Sequence, residues 1–372
     1  MVRSPLLLTI LSLTAGLSVA RKCQNITIPI SISSRNGIFS VATPANDVDV
    51  TDFVLNNFRA GVNYTDNVLQ GYKTIEANYN LAATYCTPES GHGKSLQVLT
   101  HGVGINRYYW DFSYNNYNYS YVDRALAQGY STLIYDRLGI GESSRGDPIQ
   151  ELQASLEVSA LHQLTKLLRQ SKVPGIKTKF DKIFHVGHSF GSILTYGLTT
   201  KYPEDSDGIV LTGFTIDETF FAWFGYASNW VVANTNPALK QFPNGYVALG
   251  TAQAFQAVAF APSNFDLALP AAANSIAQPI PIGEILTIGS PQEVSNPFKG
   301  PVLVVDGDRD LIFCGGNCSS STPSAAELVR PKFTKVTDFE AVIIPQTGHL
   351  LNFEYSHPTA YSAIIDFLNR HV

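Results

Sequence analysis

The sequence predicts an α/β protein with a mostly parallel central sheet, flanking helices and an inserted, largely helical cap. Three observations carry this expectation: two alternating apolar stretches near the start, six short apolar runs after Cys86 separated by helical stretches, and a long middle segment without strand periodicity.

From Asn25 to Ser33, isoleucines at 26, 28, 30 and 32 alternate with Thr, Pro and Ser, the period of a strand with one buried face. Pro29 lacks a backbone donor, which makes this an edge strand. Ile75, Ala77, Tyr79, Leu81, Ala83 and Tyr85 repeat the pattern, so the sheet starts antiparallel. The later runs are Leu96–Leu99, Thr132–Tyr135, Ile183–Val186, Ile209–Leu211, Val302–Val305 and Val342–Ile344. Short continuous apolar runs are what parallel strands buried on both faces require. Leu152, Leu156, Ala160, Leu164 and Leu168 recur every four residues as a crossover helix, with Asp147 and Pro148 as its start signal. A last helix begins near Pro358, with Tyr361, Ile364, Ile365 and Leu368 facing the sheet. Residues 216–296 are too long for a plain connection and are expected to form the cap, leaving 21–215 and 297–372 as the core. Residues 38–70 form a further excursion without an assigned role.

With 372 residues, 45% hydrophobic and 15% charged, the chain can bury a large core in one domain carrying an insertion. A net charge of -5 and the lack of any Lys/Arg run exclude a nucleic-acid partner. Arg3, the apolar stretch Leu6–Leu13 and the small residues Ser18, Val19 and Ala20 read as a signal peptide over residues 1–20. The apolar run falls short of the roughly 20 residues of a spanning helix, so stable membrane insertion is not expected. The expected location is extracellular or the secretory lumen. Oligomeric state carries no sequence signature.

Four cysteines follow the cleavage point, and an even number in a secreted chain points to disulfides. Cys23 with Cys86 would tie the N-terminus to a strand end, and Cys314 with Cys318 would close a small loop through Gly315 and Gly316. A metal at this second pair would lack another ligand pair nearby, so no metal is expected. Sequons at Asn25, Asn63, Asn118 and Asn317 fit transit through a glycosylating pathway.

The run Ile183–Val186 leads directly into Gly187-His188-Ser189-Phe190-Gly191, followed by a helical pattern. A G-x-S-x-G pattern gains meaning at such a strand-to-helix junction, where a sharp turn exposes the serine. A serine hydroxyl needs a base to become nucleophilic. His349 follows the last strand and precedes the last helix, the suitable place for it. The orienting acid lies between the two in chain order. Strand Val302–Val305 ends in Asp306-Gly307-Asp308-Arg309-Asp310, from which Asp310 is selected, with Asp217 as the alternative acid. The oxyanion donors are expected from the backbone N–H groups of Phe190 and Val103, the latter in His101-Gly102-Val103-Gly104. No third glycine of a dinucleotide fingerprint and no phosphate loop appears, so no cofactor is expected.

These residues resemble the α/β-hydrolase fold superfamily, particularly its capped members with an H-G oxyanion segment. Asp136-Arg137-Leu138-Gly139-Ile140-Gly141-Glu142-Ser143 resembles that group's D-x-x-G-x-G-x-S turn and is read as structural. The resemblance covers residues 71–372, and the mature chain is similar to secreted fungal serine hydrolases. It implies a serine hydrolase acting on a small-molecule acyl substrate, and the aromatic, alanine-rich cap suggests an ester or lactone of apolar character. A peptidase or amidase and an acyltransferase on the same triad remain open, as does a non-catalytic binding protein on the same fold. Dehalogenases and epoxide hydrolases of the superfamily carry an aspartate where this chain has Ser189. The aromatic stretch from Tyr108 to Tyr121 is expected mainly to pack, with some of it bordering the pocket.

Overall fold

The computed structural model describes residues 21–91, 93 and 95–372; residues 1–20, expected to be a signal peptide, lie outside the described residues. Strands β1 (Arg21–Phe39) and β2 (Leu69–Pro88) form a long antiparallel ribbon in which Ile28, Ile30 and Ile32 face inward, as their alternation requires. Pro29 points out on an edge strand, where its missing N–H costs no ladder bond. Cys23 sits opposite Cys86 in the register, and the two form a disulfide. The excursion between the strands holds helix α1 (Asp47–Asn57), capped by Asn46, whose side chain accepts from the Val48 and Asp49 amides.

Chain order then runs β3 (Ser95–Thr100), α2 (Tyr121–Ala127), β4 (Ser131–Tyr135), α3 (Ala154–Arg169), β5 (Lys182–His188), α4 (Phe190–Lys201) and β6 (Gly208–Thr212). An insertion follows, with α5 (Phe221–Ala227), β7 (Trp230–Val232), β8 (Tyr246–Leu249), α6 (Ala252–Ala259), α7 (Leu269–Ser275), β9 (Ile280–Pro281) and α8 (Ile282–Thr287). The chain returns through β10 (Val302–Gly307) and β11 (Phe339–Ile344) to α9 (His357–Asn369). The eight-stranded sheet has the order β1-β2-β4-β3-β5-β6-β10-β11, parallel from β4 onward. All six apolar runs of the sequence lie in its strands.

The sheet is buried on both faces because helices cover each. Leu156, Ala160, Leu164 and Leu168 of α3 join Leu96, Val98 and Leu133 on one side. On the other, Tyr361, Ile364, Ile365 and Leu368 of α9 join the cluster of Leu99 and Ile134. Val302, Leu303, Val304 and Val305 are completely buried, each contributing roughly 1.5–3 kcal/mol. Among the described residues no helix is long and apolar enough to cross a membrane.

One expectation is corrected. The crossover helix starts at Ala154 rather than beside Asp147 and Pro148. Asp147 Oδ1 instead captures the Ile149 and Gln150 amides in a local turn, and the Gln153 side chain bonds both the N–H and the carbonyl of Gly37. The chain therefore turns over residues 148–151, and α3 begins only after Gln153. The insertion is largely helical, and β7, β8 and β9 add a small antiparallel sheet of three, four and two residues, too short to leave a period in the sequence.

Candidate active site

Ser189 sits between β5 and α4 at φ 54° and ψ -122°, a backbone conformation that L-residues rarely adopt. Such strain persists only where the surroundings enforce it. Here the Ser189 amide donates to the Thr212 carbonyl at 2.9 Å, and the flanking glycines let the turn close. A Cβ on Gly191 would collide with the Thr100 carbonyl oxygen, and one on Gly187 with the Gly191 backbone. The turn lifts Ser189 out of the strand into a pocket whose wall also carries His349.

Asp310 and His349 are delivered by the loops after β10 and β11, neighbouring parallel strands. Asp310 Oδ2 lies 2.6 Å from His349 Nδ1. Its other oxygen accepts from the Ile312 and Phe313 amides at 2.7 and 3.0 Å, so the carboxylate also caps the helical turn Leu311–Cys314. Burial alone would raise the Asp310 pKa, yet the adjacent imidazole and these donors bring it below the usual carboxylate range. The ionised acid fixes the imidazole with Nδ1 as donor and leaves Nε2 as the basic nitrogen.

Asp306, also fully buried, has the opposite behaviour. Burial and the neighbouring Asp310 charge push its carboxyl well above the ordinary range. The Cys314–Cys318 disulfide lies against it, with both sulfurs 3.7 Å from Asp306 Oδ2. Asp306, Cys314 and Cys318 are clustered closely enough to ligate a metal, but the bonded sulfurs offer no thiolates. Asp308 pairs loosely with Arg309 and accepts from the Thr347 amide. Asp217 does not reach the histidine; its Oδ1 is used by the Thr219 amide and hydroxyl in a local turn.

Val103 and Phe190 line the same pocket. Among the described residues neither of their amides has a hydrogen-bond partner, and Phe190 begins a 12-residue helix whose N-terminal amides carry partial positive charge. A Cβ on Gly102 would press on the Ser189 side chain, which explains the glycine beside Val103. The rest of the pocket is apolar, with Phe221, Phe224, Phe255, Ile280 and Ile285 from the insertion, and among the described residues no Asp, Glu, Lys or Arg lines it.

One wall was not legible in the sequence. Phe58, from the excursion between β1 and β2, reaches the pocket because Gly225 on α5 leaves space for its ring. The aromatic stretch from Tyr108 to Tyr121 contributes packing rather than pocket lining: Trp110 and Tyr121 are fully buried, and Tyr109 stacks on His188 at 4.3 Å between centroids. The sequon residues Asn25, Asn63, Asn118 and Asn317 are all exposed.

A sequence profile of the Alpha/beta hydrolase family matches residues 97–364. The chain belongs to the alpha/beta hydrolase family. Its structure is similar to those of several proteins of this fold at low sequence identity. A thermophilic esterase from Thermogutta terrifontis, solved with malate, shares 17% identity over 79% of this chain and 95% of that one, with a TM-score of 0.56. A soluble variant of the monoglyceride lipase of Saccharomyces cerevisiae, solved with a substrate analogue, shares 16% identity over 79% and 92%, with a TM-score of 0.52. The enol-lactonase of Burkholderia xenovorans shares 14% identity over 78% and 97%, also at 0.52. No curated protein matches the chain by sequence.

This alpha/beta hydrolase also buries a charge cluster that sequence patterning did not reveal. Arg137 and Glu284 are fully buried and form an ion pair, with Glu157 beside them. Burial, outweighing the attraction of Arg137, pushes Glu157 up to about 8. An acid whose folded pKa is raised loses stability as pH climbs from its unfolded value through the folded one. Glu157→Gln is therefore expected to match the wild type near pH 5 and to exceed it by roughly 1–3 kcal/mol near pH 9. Thermal denaturation of both proteins across that range measures the difference; a constant offset would refute the assignment.

Proposed function

We propose that this protein is a secreted serine hydrolase that cleaves esters of apolar acids or alcohols through an acyl-enzyme. The observation carrying this reading is the ionised Asp310 held at 2.6 Å from His349 Nδ1, on the wall of the pocket that Ser189 enters. In the first half-reaction His349 Nε2 takes the Ser189 proton while Oγ attacks the acyl carbon. The oxyanion forms between the amides of Val103 and Phe190, and collapse expels the alcohol, protonated by His349. Water then attacks the acyl-enzyme, gives a proton to His349 and releases the acid as Ser189 recovers it.

The uncharged walls support an apolar substrate, because a charged group would be desolvated there without a partner. They also disfavour peptides bound through charged termini. The esterase, lipase and lactonase among the similar structures agree with ester chemistry. Secretion is supported by the two disulfides and the four exposed sequons. A panel of p-nitrophenyl esters of graded acyl length, with matched anilides, tests the assignment. kcat/KM is expected to rise from acetate to medium chains by roughly tenfold or more, about 0.8 kcal/mol per buried methylene while the pocket fills. Faster cleavage of the anilides would make the protein an amidase, and preference for acetate would refute the apolar pocket as the acyl site.

A further inference from the structure

Arg137 is completely buried, and the polypeptide folds without solvating it. An ion pair with Glu284 of α8 neutralises the charge and joins the insertion to the core. Neutralisation alone does not explain its presence, because a buried pair is typically no more stabilising than apolar side chains of the same volume. Two further contacts of Arg137 fall on His101 and Gly102, just after β3, and a third on Phe190 at the start of α4. Its Nη2 donates to the Gly102 carbonyl at 3.3 Å, and its guanidinium carbon lies 4.8 Å from the centroid of the Phe190 ring. Its backbone amide donates to His101 Nε2 at 3.1 Å.

That last bond decides the histidine's tautomer. With Nε2 accepting, the ring proton of the neutral, buried His101 resides on Nδ1, which donates to the same Gly102 carbonyl at 2.8 Å. Gly102 O is thus held by two donors, one of them cationic. The peptide unit that begins with this carbonyl ends in the N–H of Val103, a residue of the pocket lining whose amide has no hydrogen-bond partner among the described residues. Donors on an amide oxygen draw electron density from its nitrogen, so the N–H becomes a stronger donor, and they also fix the peptide plane.

We infer that Arg137, acting with His101 on the Gly102 carbonyl, is a positioning residue of the oxyanion hole that aims and polarises the Val103 N–H. Arg137 touches neither substrate nor nucleophile. Its contact with the Phe190 ring steadies the residue that supplies the second donor. Glu284 keeps the guanidinium in place, so the insertion shares in setting the hole. This inference rests on the serine-hydrolase reading of Ser189.

The test is Arg137→Lys, which keeps a cation opposite Glu284 but lacks the planar fork that serves two acceptors. Arg137→Met combined with Glu284→Met, which removes both charges together, is the second variant should the lysine not be accommodated. Each is compared with the wild type for ester turnover and for inhibition by an alkyl trifluoromethyl ketone, whose tetrahedral adduct places an oxyanion in the hole. The matching secondary alcohol, which forms no oxyanion, is the control. A fall in kcat of roughly 10–100-fold is expected, with KM within about twofold. Affinity for the ketone should drop by the factor lost in kcat/KM, while alcohol binding holds. Unchanged ketone affinity, or equal loss for ketone and alcohol, would overturn the inference and leave Arg137 a structural residue. Failure of the wild type to form the ketone adduct would instead remove the underlying reading of Ser189.

Discussion

Ser189→Ala is expected to lower kcat by about 10⁵–10⁶-fold while leaving the fold intact. Removing Oγ removes the atom that becomes acylated, and the remaining pocket retains only the weak acceleration of bound water by the oxyanion donors. Stability should change by no more than about 1 kcal/mol, since alanine adopts the backbone at φ 54° no more easily than serine does. Ser189→Gly supplies an internal check. It should be equally inactive yet more stable than the alanine variant by about 1 kcal/mol or more, because glycine relieves the strain. Steady-state kinetics and denaturant melts of the three proteins read both effects. Appreciable turnover by either variant would place the nucleophile elsewhere.

The second large effect is expected from Asp310→Asn, a loss in kcat of roughly 10³–10⁴-fold. Asparagine still caps the turn after Asp310, because its Oδ1 can accept from the Ile312 and Phe313 amides. Its Nδ2, however, then faces His349 Nδ1 where the carboxylate Oδ2 stood. A donor there favours the tautomer with the proton on Nε2, which cannot accept the Ser189 proton. Little change in melting temperature with a collapse in kcat would be the expected pattern. Near-normal kcat would show that another group orients the imidazole.

Much of this architecture could be read from the sequence because its causes are local. The glycines around Ser189 exist for steric reasons within five residues, and each parallel strand is marked by its own apolar run. The pairing of His349 with Asp310 follows from chain order, since adjacent parallel strands β10 and β11 bring their following loops together. Where causes are distant, the sequence was silent. Arg137 meets Gly102 at a separation of 35 residues and Glu284 at 147, and single charges carry no period. Phe58 enters the pocket through a notch at Gly225 that no nearby residue announces. The late start of α3 has the same origin, because Gln153 is held by Gly37, 116 residues away.

The central claim is that Ser189 is an activated nucleophile beside a formed oxyanion hole. Reaction of the purified protein with a fluorophosphonate probe, followed by peptide mapping, tests it most directly. A single adduct on Ser189, absent from the Ser189→Ala protein and much slower to form in Asp310→Asn, is the expected result. A well-folded wild-type protein that stays unlabelled, or that carries the adduct on another residue, would contradict it.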